Sequence, residues 1–128
     1  MKIQDQAALV TGAASGLGEA TARELARLGA KVAVLDRNGA QAQQVADAIN
    51  AEHGAGRAVA CECDITSADS MQAAIDKAAA AHGPARILMN VAGIGSAKRI
   101  VQKDGSPAPL EDFSRVVQVN LIGAYNVS

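Results

Sequence analysis

The sequence predicts an α/β fold: a doubly wound parallel sheet with helices on both faces, of which these 128 residues supply the first four strands and their helices. Short apolar runs alternate along the chain with segments whose apolar residues recur at helical spacing. The runs are apolar at consecutive positions, as expected of parallel strands that are buried on both faces. A glycine-rich turn between the first run and the first helical segment indicates a ligand site at the carboxyl edge of the sheet.

The first β-α-β unit occupies the N-terminal part of the chain. One strand is predicted over residues 7–10 and a second over residues 32–35, and the second ends at Asp36. Between them, Gly29 ends a helix. The side chains of this helix that are expected to face the sheet are Leu17, Thr21, Leu25 and Leu28.

Two further helices alternate with two further strands, which are predicted over residues 58–61 and 87–91. Thr66 and Asp69 have the spacing of a capping box, so Thr66 is expected to open the second of these helices. The side chains expected to be buried are Ala42, Val45 and Ile49 in the first helix, and Met71, Ala74, Ile75 and Ala78 in the second.

A polar loop over residues 93–108 and a last helix follow the fourth strand. Pro109 is expected as the first helical residue, because that position needs no backbone N–H. Tyr125, the only tyrosine, is expected to pack against the rest of the protein. The side chains of the last helix expected to face the core are Phe113, Val117, Asn120, Leu121 and Ala124.

Composition excludes several classes of function. The formal charge of −1 gives no basis for binding nucleic acid or an anionic membrane. No run approaches the roughly 20 apolar residues of a membrane span, and the charged start does not resemble a signal peptide. Cys61 and Cys63 are interpreted as small buried hydrophobic side chains, since two ligands are too few for a structural zinc ion. No metal site is predicted, and the expected location is the reducing cytoplasm.

The turn over residues 11–18 has the glycine spacing G-x-x-x-G-x-G and leads directly into a helix. Glycines allow the backbone to approach a pyrophosphate closely, and the helix N-terminus offers free N–H groups and a partial positive charge. The turn contains no lysine, which excludes the phosphate-binding loop of nucleoside triphosphatases. The alternative is a tight turn that packs the helix against the strand without a ligand.

Asp36 lies 18 residues after Gly18, at the end of the second strand. An acid near this distance can accept hydrogen bonds from the adenosine ribose hydroxyls, and it repels a 2′-phosphate. The sequence therefore favours NAD over NADP. Arg37 supports the opposite alternative, because a guanidinium can bind a phosphate.

These residues together resemble the short-chain dehydrogenase/reductase family. The matching segments are the turn over residues 11–18, Asp36, Cys63-Asp64-Ile65, Asn90-Val91-Ala92-Gly93 and Asn120, in the order and spacing of the family. The resemblance implies a Rossmann-like fold and an oxidoreductase that transfers a hydride between NAD and a secondary alcohol or ketone.

The resemblance also implies the residues of the cofactor site. Ser15 and Leu17 would contact ribose and pyrophosphate, Asp64 the adenine amino group and the Ile65 backbone the adenine ring, while Asn90 would tie neighbouring strands together. Val91 stands where the family usually has a second asparagine. The complete set of implied cofactor-binding residues is Gly12, Ser15, Gly16, Leu17, Gly18, Asp36, Asp64, Ile65, Asn90, Val91, Ala92 and Gly93.

Asn120 is the one candidate catalytic residue. It falls on the face expected to be buried, where an amide without partners costs about 1–3 kcal/mol. We therefore expect either a hydrogen-bond partner or a helix distortion at this position. The family implies that this position helps to hold a water that reaches a catalytic lysine, and the alternative is a core asparagine bonded to the backbone.

The chemistry of the family depends on a serine, a tyrosine and a lysine four residues after the tyrosine, whose charge lowers the tyrosine pKa. Tyr125 does not match that tyrosine. Residues 1–128 are therefore expected to be the NAD-binding portion of one domain, with the catalytic remainder beyond Ser128. The alternative function is a non-catalytic dinucleotide-binding or interaction module.

The loop and last helix are most similar to the type II 3-hydroxyacyl-CoA dehydrogenases of the family. This makes 3-hydroxyacyl-CoA a candidate substrate, faced by the loop cations Lys98, Arg99 and Lys103, although a solvated loop is an equal alternative. The family also implies a homodimer or homotetramer through the last helix. The apolar side chains expected to lie outside the core and to form that contact are Val116, Val119 and Ile122.

Overall fold

The structure, a computed structural model, describes all residues from 1 to 128. Four parallel strands form one sheet in the order β3-β2-β1-β4, which confirms the doubly wound topology. The strands are β1 (Ala7–Thr11), β2 (Lys31–Asp36), β3 (Ala58–Glu62) and β4 (Ile87–Asn90). The helices are α1 (Gly16–Arg27), α2 (Gly39–His53), α3 (Ala68–His82) and α4 (Leu110–Val117), which continues through a π-helical turn (Gln118–Gly123) into α5 (Ala124–Val127).

Two apolar clusters cover the two faces of the sheet. Helices α1 and α2 pack on one face, and α3 with Val127 of α5 packs on the other. Successive residues of β1 alternate between the clusters, with Val10 in the first and Leu9 in the second. This two-sided burial explains the consecutive apolar residues of β1, β2 and β3, whereas β4, at the edge of the sheet, is largely exposed and corrects the expectation that it is buried. No helix combines the length and the apolar character that crossing a membrane requires.

The predicted inward face of α1 is only partly correct: Leu25 packs partly buried against the first apolar cluster, and Thr21 is partly buried. The residues buried against the sheet are Gly18, Ala22 and Ala26, whereas Leu17 is 80% exposed and faces the cleft described below. Small side chains let the helix axis approach the sheet closely, so burial here follows size rather than hydrophobicity. The predicted buried residues of α2 and α3 are confirmed, with Ile75 partly buried.

Two helix starts differ from the prediction by one residue. The N-cap of α3 is Ser67, whose hydroxyl accepts a hydrogen bond from the backbone N–H of Ser70. Thr66 lies outside the helix because its hydroxyl and N–H both donate to Asp64. Pro109 has an extended ψ of 133°, so it precedes α4 instead of opening it.

The predicted inward face of the last helical segment is also only partly correct, since Val117 and Ala124 are partly buried. Gly123 and Val127 are buried, whereas Phe113 is 68% exposed and Leu121 is also exposed. The π-helical turn adds one residue, which rotates the positions after it by about 100° relative to a regular helix. For the same reason Val119, expected outside, packs against the core cluster that contains Val127.

Tyr125 is 83% exposed and does not pack against the rest of the chain as predicted. The long loop between β4 and α4 is polar, as expected, but part of it is ordered by its own backbone. Ala108 N–H donates to the Ile100 carbonyl at 2.8 Å, and an isolated bridge pairs Val101 with Pro107.

Candidate functional site

A cleft of about 440 Å³ opens at the carboxyl ends of the strands. Parallel strands bring the loops that follow them to this one edge, so segments distant in sequence meet here. The predicted site residues that line the cleft are Gly12, Ser15, Gly16, Leu17, Gly18, Asp36, Asp64, Ile65, Val91, Ala92 and Gly93. Asn90 does not line it. Its side-chain amide faces the Ser128 hydroxyl at 3.4 Å instead.

The glycine-rich turn is shaped by two positive φ angles, +66° at Gly12 and +56° at Gly16. A Cβ on Gly12 would lie 2.8 Å from the backbone Cα of Ala92, and a Cβ on Gly18 would overlap the Gly12 carbonyl. Larger residues would therefore push apart β1, α1 and the segment after β4. At the start of α1 the Ser15 side chain makes no capping hydrogen bond, which leaves first-turn N–H groups facing the cleft.

The Asp36 carboxylate is held in place by two backbone donors. Its Oδ2 accepts from the N–H of Ala14 in the glycine-rich turn at 3.1 Å, and its Oδ1 accepts from the N–H of Asn38 at 2.9 Å. The acid that ends β2 is thus fastened to the turn that follows β1. Arg37 lines the same cleft and forms no ion pair with an acid of the chain.

The segment after β3 presents an acceptor and a donor side by side. Oδ1 of Asp64 accepts from the Thr66 N–H at 2.9 Å and from the Thr66 hydroxyl at 2.6 Å. These hydrogen bonds lower the pKa of Asp64, so the carboxylate is ionised at neutral pH. The neighbouring N–H of Ile65 donates to no group of the protein. A carboxylate oxygen and a free N–H at adjacent positions can bind a planar base that carries both a donor and an acceptor.

Thr11 is a residue to which the sequence analysis gave no role. Its side chain is only 1% exposed, and its hydroxyl accepts from the N–H groups of both Val91 and Ala92 at 3.1 Å. These bonds end the pairing of β4 one residue earlier than predicted and turn the following chain across the cleft floor. The one available signal was a polar residue directly after an apolar strand.

Asn120 lies in the π-helical turn, so the expected helix distortion is present. Its side chain is exposed, which corrects the expectation of a buried amide. Both ends of the amide bind Ile94: Oδ1 accepts from the Ile94 N–H and Nδ2 donates to the Ile94 carbonyl, each at 2.8 Å. The side chain thereby ties the last helical segment to the chain that leaves the cleft floor.

Cys61 and Cys63 are free thiols and both are buried. Cys63 lines the cleft, where burial, and then the neighbouring Cys61, Asp36 and Asp64, raise its pKa to about 12. Burial also raises the pKa of Cys61. Both thiols are therefore protonated at neutral pH, and Cys63 contributes an apolar surface to the cleft rather than a nucleophile.

A family model described as short chain dehydrogenase matches residues 6–128. The D-threitol dehydrogenase of Mycolicibacterium smegmatis is 37% identical over 124 residues, which cover 97% of this chain and 45% of that protein. The 3-hydroxyacyl-CoA dehydrogenase type-2 of Drosophila melanogaster is 35% identical over 126 residues, covering 98% of this chain and 48% of that protein.

Among solved structures, the 3-ketoacyl-(acyl-carrier-protein) reductase of Brucella melitensis complexed with NADH superposes with a TM-score of 0.83. It is 37% identical, and the match covers 98% of this chain and 48% of that one. The chain thus spans about half the length of the relatives it matches.

Proposed function

Because the chain belongs to the short-chain dehydrogenase family, we propose that it forms the NAD-binding portion of an oxidoreductase. The reaction is hydride transfer between NAD and a secondary alcohol or ketone. Residues 1–128 contribute one part of a single domain, and a serine, a tyrosine and a lysine from outside these residues manage the proton. Tyr125 takes no part, since it is exposed on α5 and does not line the cleft.

One observation carries the proposal: three separate binding features line a single cleft. The start of α1 offers free N–H groups for a diphosphate, Asp36 offers carboxylate oxygens for ribose hydroxyls, and the Asp64–Ile65 pair suits adenine. Diphosphate, ribose and adenine are the parts of one dinucleotide. A tight turn without a ligand would need neither the free Ile65 N–H nor two carboxylates along the same cleft.

We propose NAD over NADP as the cofactor because Asp36 stands where a 2′-phosphate would have to lie. The carboxylate is fixed there by Ala14 and Asn38, so it cannot swing away without losing two hydrogen bonds. Arg37 favours NADP as the second candidate, because its guanidinium has no acidic partner. Repulsion by a fixed acid outweighs attraction by a mobile exposed side chain, which must lose conformational freedom to bind.

The substrate is a small molecule, and 3-hydroxyacyl-CoA is the candidate we propose to test first. It is supported by the similarity to a 3-hydroxyacyl-CoA dehydrogenase type-2 and by the cations of the loop. Lys98 is already paired with Asp112, which leaves Arg99 and Lys103 for an anionic group. The similarity to a D-threitol dehydrogenase supports a polyol as the second candidate.

Self-association is part of the proposal. The exposed apolar side chains of the last helical segment include Leu110, Phe113, Leu121 and Ile122, which differ from the set expected from the sequence except for Ile122. A homodimer or homotetramer that buries this surface would remove apolar area from water. The protonated, unpaired cysteines are consistent with the proposed cytoplasmic location.

The experiment uses the full-length protein. NADH is titrated by fluorescence, and NAD reduction is then followed with 3-hydroxyacyl-CoA and with a series of secondary alcohols and polyols. We expect NADH to bind with a micromolar Kd and at least one of these classes of substrate to be oxidised. Binding without turnover of any substrate would favour the non-catalytic dinucleotide-binding module, and absence of NADH and NADPH binding would refute the proposal.

A further inference from the structure

The last helical segment contacts the segment that follows β3 at one residue, Ile65. The side-chain amide of Asn126 donates from Nδ2 to the Ile65 carbonyl at 2.9 Å. Three residues earlier, Gly123 lies so close that a Cβ on it would be 2.8 Å from the Ile65 side chain. Gly123 is buried and Asn126 is partly buried, so water competes weakly for this hydrogen bond.

The contact matters because, after Cys63, whose N–H donates to the Asp36 carbonyl, only short-range hydrogen bonds hold the rest of this segment. Asp64 N–H donates to the Ser70 hydroxyl, and Thr66 donates to Asp64, all within seven residues of sequence. The bond from Asn126 spans 61 residues and is the one long-range hydrogen bond to residues 64–66. It fixes the planar peptide between Ile65 and Thr66, whose N–H donates to Oδ1 of Asp64, and thereby the position of the Asp64 carboxylate beside the free Ile65 N–H.

We propose that Asn126 is a positioning residue for the adenine end of the cofactor, with Gly123 providing the close approach that its hydrogen bond requires. This inference rests on the proposed function, because it concerns the same cleft. Asn126 contacts neither cofactor nor substrate in this role. It acts through Ile65, by holding the donor and the acceptor of the adenine site at one spacing.

The test compares wild-type full-length protein with Asn126→Leu, which keeps a similar volume but lacks the donor. Asn50→Leu is the matched control, since the Asn50 amide bonds the Ala58 backbone twice, at the opposite end of the sheet from the cleft. The measurements are the Kd of ADP-ribose, the KM for NAD, kcat at saturating NAD and the melting temperature. One lost hydrogen bond predicts an increase of about threefold to tenfold in the Kd and KM of Asn126→Leu.

A positioning role requires that kcat changes by less than about twofold in Asn126→Leu, since the reacting end of the cofactor is untouched. Asn50→Leu should lower the melting temperature and leave the Kd of ADP-ribose unchanged. An unchanged Kd in Asn126→Leu, or an equal rise in Asn50→Leu, would overturn the inference. A wild-type protein that binds neither ADP-ribose nor NADH would overturn the proposed function as well.

If Asn126→Leu does not fold, a second variant tests whether the Asn126 amide acts as a hydrogen-bond donor. Asn126→Asp keeps the shape of the side chain, but its carboxylate is ionised at neutral pH and cannot donate, so it repels the Ile65 carbonyl. The Kd of ADP-ribose at pH 7 should therefore be raised by at least the threefold to tenfold that one lost hydrogen bond predicts. A Kd equal to that of wild type would contradict the role of the donor.

Discussion

The Asp36 carboxylate accepts a hydrogen bond from the Ala14 N–H and is proposed to select NAD over NADP, so its removal should change both stability and cofactor preference. Asp36→Ala removes the acceptor of the Ala14 N–H, and Ala14 is only 2% exposed, so water cannot fully replace the bond. A buried donor left unpaired costs about 1–3 kcal/mol, and we expect the free energy of unfolding to fall by that amount. The N–H of Asn38 is exposed, and its loss should add little.

Asp36→Ala should also reduce the preference for NAD over NADP. NAD loses two ribose hydrogen bonds, at about 0.5–1.5 kcal/mol each, and NADP escapes a repulsion of about 1 kcal/mol per unit charge at 4 Å in water. Since each 1.4 kcal/mol is tenfold, the NAD/NADP ratio of kcat/KM should fall on the order of 100-fold.

The assay is steady-state kinetics of the full-length protein with both cofactors, together with urea unfolding. Asp36→Asn is the matched variant, because its amide oxygen still accepts from Ala14 while the charge is gone. Asp36→Asn should lose most of the preference for NAD over NADP, but its free energy of unfolding should fall less than that of Asp36→Ala. A wild-type preference for NADP, or a ratio that changes less than about threefold in Asp36→Ala, would show that the acid does not select the cofactor.

Three further predictions follow from other parts of the structure. Gly12→Ala places a Cβ 2.8 Å from the Cα of Ala92 at a φ of +66°, so it should weaken NADH binding and lower the free energy of unfolding. Gly56→Ala has a positive φ but open space, so it should destabilise the protein less; NADH titration and urea unfolding of both variants test this. Burial lowers the pKa of His82 below its ordinary 6.5, so the unfolded state binds more protons than the folded state and the free energy of unfolding should fall as the pH drops through 6.5. His82→Gln should weaken this pH dependence, as measured by urea unfolding between pH 5 and 8. Phe113→Asp puts a charge on the exposed apolar face, and light scattering should show a smaller assembly than wild type; identical masses, or a monomeric wild type, would contradict the proposed interface.

The order of the elements, and the edge of the sheet at which the site lies, could be predicted from the amino-acid sequence. Consecutive apolar runs, helical periodicity and the glycine spacing are local signals, and each reflects backbone geometry that neighbouring residues impose. They predicted the parallel sheet and a site at Gly12 and Asp36, since the carboxyl ends of parallel strands share an edge. The family resemblance implied Asp64, which lines the same cleft.

Which helix faces are buried, and which polar groups form hydrogen bonds, depend on the packing of elements that are distant in sequence. Leu17 is more hydrophobic than Ala22, yet Ala22 is buried because the distance between α1 and the sheet admits only small side chains. The π-helical turn changed which residues after it are buried, and no periodicity rule predicts its extra residue. The hydroxyl of Thr11 and the amide of Asn126 bind backbone groups 80 and 61 residues away. Such bonds depend on where the chain returns in space, and a local pattern carries no information about that distance.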